Sequence, residues 1–196
     1  MTTPPPTAPA RIRAVMDELG RDPFLPAEQR RFSDLDRPLP IGHGQTNSQP
    51  STVAAMITLL EVSTGQRILD VGSGSGWTTA ILARLVGSSG CVIGCELVPA
   101  LRESAAAVLA GLDMPWAEVR QARIGTLGAP VDGPYDRILV SAGAQTLPRT
   151  LVEQLAPDGI MVIPVASTML RVHRTAAGPV DITEHGRYSF VPLIDG

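Results

Sequence analysis

Apolar positions recur along this chain with two different spacings, and their alternation points to the fold. Ile12, Val15, Met16 and Leu19 fall on one side of a helix over Ala10–Leu19. Pro23 and Pro26 then break the chain, and a loop is expected through Pro38 and Pro40. Pro50 suits the first turn of a second helix, with Val53, Met56, Ile57 and Leu60 as its apolar face. Beyond it, short runs predict strands at Arg67–Val71, Cys91–Cys95, around Val119, at Asp136–Val140 and at Ile160–Val165. Helical patterns separate them at Thr78–Leu85, Ala100–Leu109 and Leu147–Leu155, with Gly159 beyond the last. Strand and helix in strict alternation predict an α/β fold with a doubly wound parallel sheet and helices on both sides. Met169–Arg174 and Arg187–Leu193, joined across Gly178 and Pro179, are expected to pair antiparallel and close one sheet edge.

Composition adds exclusions. At 196 residues, with 44% hydrophobic and 18% charged residues, the chain fits one globular domain with a sizeable core. Residues 1–10, proline-rich and without the basic and apolar regions of a signal peptide, are expected to be a flexible tail, leaving 11–196 as a single domain. A net charge of −3 gives no electrostatic footprint for nucleic acid or an anionic membrane. No apolar run reaches the roughly 20 residues of a membrane span. Cys91 and Cys95 are the only cysteines. In one extended strand they would stand about 13 Å apart, at roughly 3.3 Å per residue, too far for a disulfide. Two free thiols suit a reducing compartment, and the cytoplasm is the expected location.

The densest chemical signal is Asp70-Val71-Gly72-Ser73-Gly74-Ser75-Gly76-Trp77, directly after a predicted strand. Glycines at every second position let a ligand approach the main chain, because no Cβ intervenes. The dinucleotide fingerprint would require a glycine where Trp77 stands. The spacing found here fits an S-adenosylmethionine site better, with a plain strand-to-helix turn as the competing reading. Glu96 ends the next strand, where an acidic residue can accept hydrogen bonds from both ribose hydroxyls.

Several further segments, in order, make the chain resemble the protein-L-isoaspartate O-methyltransferase family from about Arg37 to Leu193. These are Gly42-His43-Gly44-Gln45-Thr46-Asn47-Ser48-Gln49-Pro50, the glycine motif, Pro134-Tyr135-Asp136-Arg137-Ile138, Gln154-Leu155, Ile163-Pro164-Val165 and Phe190-Val191-Pro192-Leu193. The resemblance implies a Rossmann-like methyltransferase sheet, S-adenosylmethionine as cofactor, and methylation of L-isoaspartyl residues in damaged proteins or peptides. It places Ser48 at the transferred methyl group, with Thr46 beside it, and Asp70, Gly72, Ser73, Gly74, Gly76, Glu96, Ile124 and Gly125 around the cofactor. A monomer is expected.

Two departures stand out. The family's usual Gly-Asp-Gly segment, whose aspartate contacts the adenine, is replaced by Arg123-Ile124-Gly125, and Ile124 can pack on a base but cannot accept a hydrogen bond from it. Asn47 occupies a position that is commonly β-branched and apolar, and an amide there could reshape substrate choice. A carboxylate acceptor is ionised at neutral pH and needs no general base, so Ser48 is expected to orient it rather than attack. The competing role for Thr46 and Ser48 is helix capping ahead of Pro50. His43, His173 and His185 have no metal-ligand spacing, and no metal is expected. Trp77 is expected to fill the helix–sheet interface. A methyltransferase dedicated to one peptide and a binding module without turnover remain the alternatives.

Overall fold

The computed structural model describes residues 7–194. Helix α1 (Ala8–Leu19) leads into a hairpin of β1 (Leu39–Gly42) and β2 (Gln45–Asn47), followed by α2 (Pro50–Leu60). The alternating part comprises β3 (Arg67–Val71), α3 (Trp77–Val86), β4 (Cys91–Glu96), α4 (Pro99–Ala110), β5 (Ala117–Gln121), β6 (Tyr135–Val140), α5 (Arg149–Val152) and β7 (Leu155–Val165), with β8 (Thr168–Arg174) and β9 (Val180–Arg187) after it. The seven-stranded sheet has the order β5-β4-β3-β6-β7-β8-β9. Its first five strands run parallel, and β8 pairs antiparallel with both β7 and β9.

Strand residues divide between two cores. Ile68, Val92, Leu139 and Val162 pack with α1, α2, α3 and α4, whereas Leu69, Ile93, Ile138 and Met161 face the other layer. From β3 the chain first winds outward through β4 and β5, then returns to the far side of β3 with β6 and β7. Right-handed crossovers in opposite directions place their helices on opposite faces, so α5 lies on the second face, where Leu127, Ala129 and Leu193 of the connecting segments pack beside it. The reversal leaves a crevice at the carboxyl ends of β3 and β6, where open α/β sheets bind ligands.

Four expectations change. α1 begins at Ala8, inside the expected tail, and residues 1–6 lie outside the described residues. The loop before α2 contains the β1–β2 hairpin, with His43 at φ 55° in its turn. The helix expected over Leu147–Leu155 shrinks to Arg149–Val152, because Leu155 is buried by pairing with Tyr135 as the first residue of β7. The partner of β8 is Val180–Arg187, running from Arg174 opposite Val180 to Thr168 opposite Arg187. Residues 188–194 instead turn back over the sheet, where Gly143 N donates to Val191 O at 2.8 Å and Leu193 N to Gly143 O at 2.9 Å.

Candidate active site

The glycine loop leaves β3 and is pinned to the end of β4. Gly72 N and Ser73 N both donate to Cys95 O, at 2.9 and 3.2 Å. Gly74 N donates to Glu96 Oε2 at 2.8 Å, while Val98 N takes Oε1 at 2.8 Å. Glu96 is therefore locked in one orientation, yet each oxygen keeps a second lone pair for a ligand hydroxyl. Gly74 has φ +54°, and a Cβ there would stand 3.3 Å from Ile41 Cδ1.

This loop forms one wall of a cleft of about 960 Å³, counted with its open mouth. Gly72, Ser73, Gly74 and Glu96 line it, and Thr46 and Ser48 of the β2–α2 segment face the same space. The structure thus brings the glycine loop, the acidic strand end and the proposed acceptor segment together. Ser48 and Thr46 also border a second groove of mixed character, with Ser51, Ser141, Tyr188 and Phe190, that adjoins the first at these shared residues. Neither hydroxyl caps α2: its N-cap is Gln49, without a side-chain cap bond. Asp36 holds that helix end instead, accepting from Ser51 N at 2.8 Å and from Gln49 Nε2 at 3.0 Å. These two bonds, the Ser51 amide first, hold the Asp36 carboxyl below its usual pKa.

Four expected cofactor residues do not line the cleft. Gly76, at φ 85°, is the N-cap of α3, and a Cβ there would come within 3.0 Å of Ala105 Cβ, so its glycine serves helix packing. Ile124 and Gly125 form the tip of a turn closed by pairing of Arg123 with Thr126, and Ile124 is 72% exposed. The turn directs Ile124 to solvent rather than onto a base; Ala122, Arg123, Thr126, Leu127 and Gly128 form that wall, and Thr126 carries its one side-chain acceptor. Asp70 lies beneath the loop, fully buried, with Oδ2 accepting from Thr79 Oγ1 at 2.6 Å. Burial pushes its pKa up to about 7, opposed by the Thr79 bond and reinforced by the charge of Glu96.

The donor set fits the expected cofactor. Ser73 Oγ, on a residue that lines the cleft, is buried without a hydrogen-bond partner, leaving polar capacity unsatisfied at the loop. Ser141 and Ala142 after β6, and Val191, Pro192, Leu193 and Ile194 of the returning segment, complete the walls. The apolar Phe190-Val191-Pro192-Leu193 run signalled that segment, although its pattern suggested an edge strand. No sequence pattern singles out Arg21. It is buried beside the acceptor segment and stacks 5.5 Å from the Trp77 ring, with its pKa lowered to about 10 by burial. Trp77 itself is in the core, donating from Nε1 to Gly20 O at 2.9 Å. His43 is exposed and borders a different groove, with Phe24 and Leu101.

Comparison with known proteins identifies the family. The sequence model of the family described as protein-L-isoaspartate(D-aspartate) O-methyltransferase matches residues 7–196. A protein-L-isoaspartate O-methyltransferase 1 of Rhodopseudomonas palustris is 43% identical over 188 residues, covering 93% of this chain and 75% of the relative. Its counterpart in Anaeromyxobacter dehalogenans is 45% identical over 192 residues, covering 93% and 90%. Among solved structures, a Plasmodium falciparum protein described as a protein-L-isoaspartate O-methyltransferase, in complex with S-adenosyl-L-homocysteine, superposes with a TM-score of 0.82. It is 26% identical and covers 95% of this chain and 91% of that one.

Proposed function

The chain belongs to the protein-L-isoaspartate O-methyltransferase family, and from that premise we propose how its cleft methylates the free carboxylate of L-isoaspartyl residues in damaged proteins and peptides. The observation that carries this reading is the convergence of Gly72–Gly74, Glu96 and the Thr46–Ser48 segment on one cleft. S-adenosylmethionine, when bound, supplies a methyl group on a sulfonium, electrophilic without further activation. Gly72, Ser73 and Gly74 would hold it through the main chain, Glu96 through the ribose hydroxyls, and Thr126 from the opposite wall.

The remaining work is positioning, which dominates the acceleration of an in-line displacement. An isoaspartyl carboxylate, with an ordinary pKa near 4, is already a nucleophile at pH 7. Among the described residues, Glu96 and Arg123 are the only charged side chains lining the cleft, and no histidine does. Ser48 donates a hydrogen bond to one carboxylate oxygen and leaves the other aimed at the methyl group, with Thr46 as neighbour. S-adenosylhomocysteine leaves as the methyl is transferred; the neighbouring backbone amide nitrogen then attacks the ester carbonyl, methanol departs, and water can reopen the resulting succinimide to normal aspartate. Among the described residues no helix is long and apolar enough to cross a membrane. The free cysteines Cys91 and Cys95 support a cytoplasmic location.

The test is a methyl-transfer assay on an isoaspartyl peptide beside its normal aspartyl twin. Transfer to the first and not the second is expected. Equal transfer, or none with saturable S-adenosylmethionine binding, would overturn the substrate assignment.

A further inference from the structure

Asn47 joins two parts of the site that the chain keeps far apart in sequence. Its Oδ1 accepts from Arg21 Nε at 2.7 Å, and its Nδ2 donates to Ser75 Oγ in the glycine loop at 3.0 Å. A guanidinium only donates, so Arg21 fixes which end of the amide faces it and commits Nδ2 to Ser75. Arg21 Nη2 also donates to the carbonyls of Asn47 and Ser48, each at 2.9 Å. The same side chain thus holds both the Asn47 amide and the backbone of the acceptor segment. Below it, Trp77 follows Ser75 by two residues and bonds back to Gly20 O, so Gly20, Arg21, Asn47, Ser75 and Trp77 close a ring. Arg21, Asn47 and Ser75 are only 5%, 5% and 8% exposed.

We infer that Asn47 is a positioning residue that couples the cofactor loop to the acceptor segment, so that the ligands on the two sides bind cooperatively. This rests on the proposed assignment of the acceptor to Thr46–Ser48. Any displacement of Ser75 by a ligand at the loop must either carry Asn47 with it or leave a buried Nδ2–H unpaired, which is costly away from water. Because Arg21 holds Asn47 and the Ser48 carbonyl together, the shift reaches the residue that orients the carboxylate. A β-branched apolar residue at 47 would leave Arg21 Nε and Ser75 Oγ without this partner and would cut the link.

The test is calorimetry of S-adenosylhomocysteine binding with and without a saturating isoaspartyl peptide, a pair that cannot turn over. The peptide should tighten the wild-type affinity at least about fivefold, and S-adenosylhomocysteine should tighten peptide binding by the same factor, since coupling is reciprocal. In Asn47→Val the ratio should fall to within about twofold of unity. Ser75→Ala, which removes the loop end of the link and leaves Arg21–Asn47 intact, should do the same and serves where Asn47→Val fails to fold. A purely structural Asn47 would lower the melting temperature and leave the ratio unchanged. Full coupling retained in both variants overturns the inference, as does a wild type that methylates the peptide but shows no coupling. A wild type that neither binds nor methylates the peptide defeats both this inference and the proposed substrate.

Discussion

Single side chains separate chemistry from architecture at two positions. Ser48 precedes α2, but Asp36 rather than Ser48 satisfies the first turn of that helix. Ser48→Ala should therefore leave the melting temperature nearly unchanged. A contact made mainly in the transition state affects turnover more than ground-state binding. Turnover should fall at least about tenfold, roughly 1.4 kcal/mol of barrier, with S-adenosylmethionine affinity unaltered in calorimetry. A destabilised variant with wild-type activity per folded molecule would return Ser48 to a structural role. Asp70 gives a pH signature. Its carboxyl ionises near 3.8 in an unperturbed setting and at about 7 in the fold. Between those values the folded protein holds a proton that the unfolded chain has released, so the group's contribution to stability is complete below about pH 4 and is lost as pH rises through 7. Melting temperatures of ligand-free Asp70→Asn, measured against wild type, should rise steadily from pH 4 to 7.5. A constant difference over that range would mean Asp70 ionises normally.

At the scale of elements, the glycine loop faces the cleft through Gly72, Ser73 and Gly74, while Gly76 packs against α4 and Asp70 lies beneath the loop. Gly74→Val would put a β-branched side chain at φ +54° and a Cβ 3.3 Å from Ile41 Cδ1. S-adenosylmethionine affinity should drop at least about tenfold, roughly 1.4 kcal/mol, and thermal stability should fall with it. Normal binding by a folded variant would reduce the loop to a turn. Central strands and the long helices were legible because burial imprints periodicity: Ile68 and Leu69 serve opposite cores, and Val53, Met56, Ile57 and Leu60 share one helix face. Elements without that imprint differ from their sequence pattern. Val180–Arg187 has only His185 partly covered, so β9 shows no alternation at all. Leu147, Leu151 and Leu155 keep a helical spacing although Leu155 is buried by a strand partner. Arg21 looks like any surface charge between Gly20 and Asp22; five bonds to acceptors at positions 35, 37, 47 and 48 bury it, and no local pattern announces such a partnership.

The whole molecule assembles its site from both ends of the chain around a central switch in winding. β3 and β6 supply the crevice, Arg21 and the β1–β2 hairpin bring the acceptor segment, and residues 188–194 return from the far sheet edge to close the opposite wall. The return is held by reciprocal bonds between Gly143, just past β6, and both Val191 and Leu193. Sequence alone displayed those apolar residues without their destination, since nothing local distinguishes a strand that pairs at an edge from a strap that covers a cleft. The distinction has a consequence. An edge strand contributes to sheet stability, whereas a strap contributes to ligand retention. Deleting residues 190–196 should preserve the far-ultraviolet circular dichroism and lower the melting temperature by only a few degrees, because β8 retains β9 as its partner. The same deletion removes Val191, Pro192, Leu193 and Ile194 from the wall, so S-adenosylhomocysteine affinity should weaken at least about tenfold, roughly 1.4 kcal/mol. Calorimetry beside a thermal melt decides the matter: loss of fold together with loss of binding would make the segment part of the scaffold, and a folded protein with intact affinity would remove it from the site.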